Sequence, residues 1–154
     1  MILCISLFGC DDDTSQSIAL QTVFSCDFTA QYNESELCGG IVIDENGAKI
    51  TLTKPQTLVG ACLEMKNGQE KICLNMNGIN IEFDENRYPS AAFMRLVRKA
   101  IAAGGSGLQL DGESGTLSGS ADGVKFEFTV DESGRPQTLN IPDYSLKMSF
   151  LNYN

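Results

Sequence analysis

The 154-residue chain has no histidine and no tryptophan, and its 11 lysines and arginines face 20 aspartates and glutamates, a net charge of −9. The missing histidine removes the Ser-His-Asp and Cys-His nucleophilic mechanisms and every histidine-ligated metal site. The shortage of cations argues against a nucleic-acid partner, because nothing here neutralises a run of phosphates. No G-x-G-x-x-G and no P-loop occurs, so nucleotide phosphates have no glycine cradle. The cysteines lack the C-x2-C spacing that makes a four-thiolate zinc site credible, and that site is rejected. Ser106 in Gly104-Gly105-Ser106-Gly107 is followed by Leu108; this is a helix stop and not a nucleophile elbow. The acidic pairs Asp84-Glu85 and Asp131-Glu132 flank turns, where acids are ordinary. The sequence implies no enzyme, no metal and no cofactor.

What is present begins with an address. Met1 to Gly9 are apolar and uncharged, Cys10 follows, and the composition then flips to Asp11-Asp12-Asp13-Thr14-Ser15-Gln16-Ser17. The apolar stretch is too short to span a bilayer and has the character of a secretory h-region. Leu7-Phe8-Gly9-Cys10 resembles a bacterial lipobox, in which the cysteine becomes the lipidated N-terminus. Residues 1–9 are therefore expected to be a signal-peptide remnant, residues 10–19 a lipidated Cys10 with a polar tether, and residues 20–154 the folded domain. A buried N-terminal strand is the alternative. The three aspartates suit a solvated tether better than a cation site, for which they lack a loop motif.

The remainder punctuates like a ladder of hairpins. Asn46-Gly47, Asn67-Gly68, Asn77-Gly78 and Asp122-Gly123 supply the positive φ angles of two-residue type I′ turns. Each such turn fixes a register, and each register should set apolar residues opposite one another. The first pairs Ile43 with Ile50 and Ile41 with Leu52. The second pairs Leu63 with Ile72, Glu64 with Lys71 and Cys62 with Cys73. The third pairs Met76 with Ile79, Leu74 with Ile81 and Ile72 with Phe83. The fourth pairs Ala121 with Val124 and Leu117 with Phe128. Weaker turns at Ser133-Gly134 and Pro142-Asp143 add Phe128 opposite Leu139, Phe126 opposite Ile141, Leu139 opposite Leu146 and Ile141 opposite Tyr144. Upstream, Phe24, Cys26, Phe28, Ala30 and Tyr32 alternate with polar residues. One face is apolar and the other, with Lys49, Glu64, Lys66, Glu82, Lys125, Glu127 and Lys147, faces water, as in an antiparallel meander.

A single helix interrupts the strands, over about 89–103. Pro89-Ser90 opens it, Gly104-Gly105 closes it, and Phe93, Leu96, Val97, Ala100 and Ile101 form its apolar stripe. Arg95, Arg98 and Lys99 lie off that stripe and read as a solvent face near a favourable helix end, with membrane docking as the alternative. About eleven strands at ~4.8 Å each make a sheet ~50 Å wide, whereas a helix is only ~10–12 Å across. One helix cannot cover such a face, so the sheet must curl around it. The expected fold is mainly β (α+β): a single antiparallel meander curled into a half-barrel around one central helix. The inward residues either pack solid or line an apolar cavity. The cavity candidates are Phe24, Phe28, Ile43, Ile50, Met65, Leu74, Met76, Phe83, Phe93, Val97, Ile101, Phe126, Phe128, Leu146 and Met148. A transmembrane barrel would need longer strands, of about 9–11 residues, and would leave the helix stripe without cover.

A leader ending in cysteine, a polar tether, about eleven antiparallel strands and one mid-chain helix resemble the LolA/LppX-like superfamily. The likeness includes the segment Lys54-Pro55-Gln56-Thr57-Leu58-Val59-Gly60 and the C-terminal run Gly123-Val124-Lys125-Phe126-Glu127-Phe128, Gly134-Arg135-Pro136 and Leu139-Asn140-Ile141. The resemblance implies an open half-barrel closed by helices and holding acyl chains or lipoproteins in its concave apolar face. The expected function is an exported lipoprotein, anchored to the outer face of the bacterial cytoplasmic membrane or the periplasmic side of an envelope membrane, that binds a lipid or other apolar molecule. A monomer is expected. The alternative is an envelope protein-interaction module with a solid core. Export permits disulfides: Cys62 with Cys73 by the second register, and more weakly Cys26 with Cys38, which face opposite ways unless Gly39-Gly40 marks a bulge.

Overall fold

The computed structural model describes residues 18–69, 71–84, 92–105, 109–111 and 115–154. The leader with Cys4, the lipidation candidate Cys10, the tether to Ser17, the helix opening at Pro89-Ser90 and Ser106 lie outside these residues. The strands are β1 (Phe24–Tyr32), β2 (Ser35–Asp44), β3 (Gly47–Lys54), β4 (Cys62–Lys66), β5 (Lys71–Met76) and β6 (Ile79–Asp84). Helix α1 (Ala92–Gly104) follows, and then β7 (Gln109–Asp111), β8 (Thr116–Ala121), β9 (Val124–Val130), β10 (Pro136–Ile141) and β11 (Leu146–Leu151).

All eleven strands form one open antiparallel sheet in the order β6-β5-β4-β3-β2-β1-β11-β10-β9-β8-β7. Two runs of hairpins meet where the first strand pairs with the last, and the segment containing α1 carries the chain from one sheet edge to the other. The molecule is the expected half-barrel, with α1 as the single α-helix among the described residues, on its concave side. Alternation explains the two faces. Along β1 the residues Phe24, Cys26, Phe28, Ala30 and Tyr32 are buried while Asp27, Thr29 and Gln31 are exposed.

Three registers run as the turns dictate. Asn77 and Gly78 take φ of 53° and 79°, Asp122 and Gly123 take 50° and 79°, and the pairs Met76–Ile79, Leu74–Ile81, Ala121–Val124 and Leu117–Phe128 follow. β9 and β10 also pair Phe128 with Leu139, with a bulge between Pro136 and Thr138.

The other three registers are shifted by two residues. Ile41 pairs with Ile50 and Ile43 with Ala48, instead of Leu52 and Ile50. Here the Asp44 carboxylate accepts hydrogen bonds from the Asn46 and Gly47 N–H groups at 2.7 and 3.1 Å, which draws the turn back to Glu45-Asn46. Leu63 pairs with Leu74 and Glu64 with Cys73, instead of Ile72 and Lys71. The expected two-residue turn would have set Glu70 opposite Met65, which is buried, at the cost of desolvating a charge. Asn67 is also held elsewhere: its N–H and amide donate to the Asn46 and Glu45 carbonyls at 2.7 and 2.6 Å. Leu139 pairs with Met148 and Ile141 with Leu146, instead of Leu146 and Tyr144, because Pro142–Tyr144 form a 3-10 turn that ends on Ser145 at φ 47°. A turn at Asn33-Glu34, with Asn33 at φ 52°, joins β1 to β2 and was not among the expected turns. Every shift is even, so every side chain keeps its face.

Candidate functional site

The concave face is built by the inward residues of the sheet and the stripe of α1. Phe93, Leu96, Val97, Ala100 and Ile101 point into it and are buried. Phe93 rests against Phe28 and Tyr32, ring centroids 5.8 and 6.0 Å apart. Of the cavity candidates, Phe24, Phe28, Ile43, Ile50, Met65, Phe93, Val97, Ile101, Phe126, Phe128, Leu146 and Met148 are buried in this one cluster. They pack against one another as a core. Leu74, Met76 and Phe83 are half-buried at its margin.

Beyond that margin the apolar face continues uncovered. One register row runs Cys26–Ile41–Ile50–Leu63–Leu74–Ile81 across six strands. Exposure rises along it from 0% at Ile50 to 51% at Ile81, and Ile79 beside it reaches 64%. The matching row on the other side, Ala30–Met148–Leu139–Phe128–Leu117, is buried as far as Leu117 on β8. The reason is the seat of α1, which packs chiefly on β8 and less on β3.

The cations of α1 do more than face water. Arg98 Nη2 donates to Asn67 Oδ1 at 2.7 Å, at the β4–β5 turn. Lys99 Nζ donates to Asp122 Oδ2 at 2.5 Å, at the β8–β9 turn. One side chain thus ties the helix to each half of the sheet, and the Lys99 ammonium holds the Asp122 carboxyl below its ordinary range. Between α1 and the β8–β9 hairpin lies a recess of about 150 Å3. That is below the ~300–1,000 Å3 of a usual ligand pocket. Larger furrows of about 540 and 650 Å3 lie on the polar outer face, lined by residues such as Thr29, Gln31 and Asn140, and Glu64, Lys71 and Glu82.

The cysteine pairings do not follow. Cys62 lies opposite Asn75 and Cys73 opposite Glu64. Diagonal neighbours of this kind stand ~7–8 Å apart, while a disulfide needs Cβ atoms within ~4.5 Å. Cys38 lies opposite Thr29 on the outer face and Cys26 opposite Ile41 on the inner, so those two cannot meet. The bulge beside Cys38 places its extra residue, Thr53, on β3 and leaves Cys38 outward. All four thiols are free. Burial, partly offset by hydrogen bonding to Leu151, pushes the Cys26 thiol up to about 11.

An open antiparallel half-barrel with helix α1 on its concave side is the class this fold defines. No protein-family model matches the chain, and no curated protein matches it. Among solved structures the chain is similar in fold to a LolA superfamily protein from Nitrosomonas europaea, with 11% identity over 89% of this chain and 86% of that one and a TM-score of 0.37.

Proposed function

We propose that the chain binds a lipid or other acyl-chain ligand on its concave face, along the uncovered row of β4, β5 and β6. The carrying observation is the side-by-side placement of Leu74, Met76, Ile79 and Ile81, an apolar surface continuous with the core and open to solvent at its outer end. Covering such a row with an acyl chain gains roughly 25 cal/mol per Å2 of apolar surface removed from water. The binder works without chemical turnover. It is exported and held at the outer face of the cytoplasmic membrane, or at the periplasmic side of an envelope membrane, by acylation of Cys10. This anchor rests on the apolar leader, the cysteine and the polar stretch that follows. The core under α1 favours a second reading, because it is filled rather than hollow: the same row docks an envelope protein.

Native mass spectrometry of the chain with phospholipid and fatty-acid mixtures separates the two. Retained lipid, lost at least tenfold in Ile79→Glu and Ile81→Glu variants of unchanged stability, is the expected result. No uptake by the wild type leaves only the protein-docking reading. For the anchor, Cys10→Ala should move the protein from the membrane fraction to the soluble one, and a wild type that never takes up a labelled acyl chain removes it.

A further inference from the structure

The open sheet ends in two edges of unequal length. β7 has three residues and β6 has six, Ile79-Asn80-Ile81-Glu82-Phe83-Asp84. β6 pairs with β5 on one side and has no strand on the other among the described residues. All its residues except the half-buried Phe83 are exposed. Edge strands commonly carry a lysine, a proline, an inward charge or a bulge that prevents pairing with another chain. β6 has none of these: its inward side chains are apolar, and its register with β5 runs unbroken from Met76–Ile79 to Lys71–Asp84.

The hairpin fixes which backbone groups this edge offers. Residues flanking a two-residue turn exchange both hydrogen bonds, and bonded pairs then alternate with unbonded ones. Met76–Ile79, Leu74–Ile81 and Ile72–Phe83 are therefore the bonded pairs with β5. The N–H and C=O groups of Asn80 and Glu82 point to the open edge instead. An antiparallel copy of β6 meets them with the same groups of its own when Ile81 lies opposite Ile81, Asn80 opposite Glu82 and Ile79 opposite Phe83. A slip by one pleat one way sets Glu82 opposite Glu82, which like charge disfavours. A slip the other way sets Glu82 and Phe83 against the turn residues Gly78 and Asn77. The side chains agree with the full register. Asn80 Oδ1 accepts from the Asn75 amide at 2.6 Å, which leaves the Asn80 amide to donate to a Glu82 carboxylate across the edge. Lys71 stands 3.7 Å from Glu82, so the acids approach already partnered.

We propose that β6 pairs antiparallel with β6 of a second copy about a two-fold axis at Ile81, joining two chains into a dimer with one continuous sheet. The row Leu74–Ile81 then continues into Ile81 and Leu74 of the second copy, and the two apolar lips become one strip. Two strands of this length bury less than ~1,200 Å2, the size of weak, reversible complexes. The pairing needs no ligand and does not rest on the acyl-chain reading.

The test is sedimentation equilibrium of the full chain, with reductant and without lipid, at concentrations up to roughly 1 mM. A monomer–dimer equilibrium is expected. Asn80→Pro removes an outward N–H and no bond to β5; it should weaken dimerisation about tenfold or more and keep lipid retention. Ile81→Lys and Ile81→Glu should each be monomeric, and their equimolar mixture should restore a dimer, because opposite charges then meet at the axis. A wild type monomeric at every concentration, a mixture that stays monomeric, or assemblies that grow beyond two copies would each overturn the proposal. An envelope protein bound through β6 by a chain that never self-associates would assign the edge to that partner instead. Lipid retained by a monomer would leave the proposed function standing.

Discussion

The two halves of the sheet carry the same alternating pattern and meet different fates. From β11 to β8 the inward residues Leu146, Met148, Leu139, Phe128 and Leu117 are buried, and Ala121, Val124 and Val130 toward the strand ends are half-buried. Along the row from Ile50 on β3 through Leu63 and Leu74 burial falls, until Ile79 and Ile81 are mostly open. Sequence pattern assigns a side chain to a face, but burial depends on what lies over that face. Here the cover is a single helix, and it sits toward β8. A sheet of eleven strands is wider than one helix can roof, so one half is sealed and the other is left with an apolar lip. The difference separates a load-carrying core from a surface available to a ligand.

The largest expected effect tests that contrast directly. Phe128→Ala in the sealed half should lower unfolding stability by about 3–5 kcal/mol, the usual loss for a buried phenylalanine. Ile81→Ala on the open lip should cost below about 1 kcal/mol, because half of the side chain is already in water. Urea midpoints with unchanged m-values provide the measurement. Similar costs for both would mean that the lip is covered in solution and the contrast between the halves is false.

The sequence made the faces legible and the partners only partly so. Period-two alternation puts Ile41, Ile43 and Ile50 on the inner face in any register that differs by an even number of residues. Matching apolar with apolar therefore could not distinguish Ile43 opposite Ile50 from Ile43 opposite Ala48. Two of the turns that held have an Asn or Asp at positive φ, Asn77 and Asp122, and the third, at Ser133-Gly134, has positive φ at its glycine alone. Those that moved had a competing tie: the Asp44 carboxylate on the Asn46 and Gly47 amides, the bonds from Asn67 to the β2–β3 turn, and the 3-10 turn at Pro142. These are contacts between a side chain and a particular backbone group, and no periodicity encodes them. The helix stripe was legible from spacing. Its displacement toward β8, which creates the open lip, was not, because it depends on how the chain crosses between sheet edges. For the same reason Arg98 and Lys99 read as a solvent face, although each meets the tip of a hairpin.

A smaller effect separates a moved turn from one that held, both within the open half. Gly47 has φ 152°, and a Cβ there would stand 2.1 Å from the Met65 carbonyl oxygen. Gly78 has φ 79°, and a Cβ there would meet nothing within 4 Å. Gly78→Ala should cost about 1 kcal/mol for its left-handed backbone. Gly47→Ala should add a further ~1–3 kcal/mol, because β3 and β4 must separate to admit the methyl group. Amide exchange should then quicken at Met65 and Ile50 while the β8–β9 hairpin stays protected. A Gly47→Ala variant no weaker than Gly78→Ala would show that β3 and β4 lie farther apart than their register implies.

The smallest expected effect lies on the seam where the halves join. Cys26 on β1 is 2% exposed, and burial raises its thiol from 9.0 to about 11. Burial likewise raises the nearby Tyr153 phenol above its ordinary 10.0. Both groups are held neutral in the folded chain and ionise more readily when it unfolds. The thiol's contribution is therefore complete below its unfolded value of 9.0 and is lost as pH rises through about 11, and the phenol's loss follows at higher pH. Urea midpoints should be level for these groups up to about pH 9 and fall beyond it. Cys26→Ala should start lower at pH 7, because it removes a buried side chain, yet decline less steeply between pH 9 and 11. A parallel decline in wild type and variant would assign the alkaline loss to other groups. A shallower one would show that burial at the seam holds the Cys26 thiol protonated above its ordinary range.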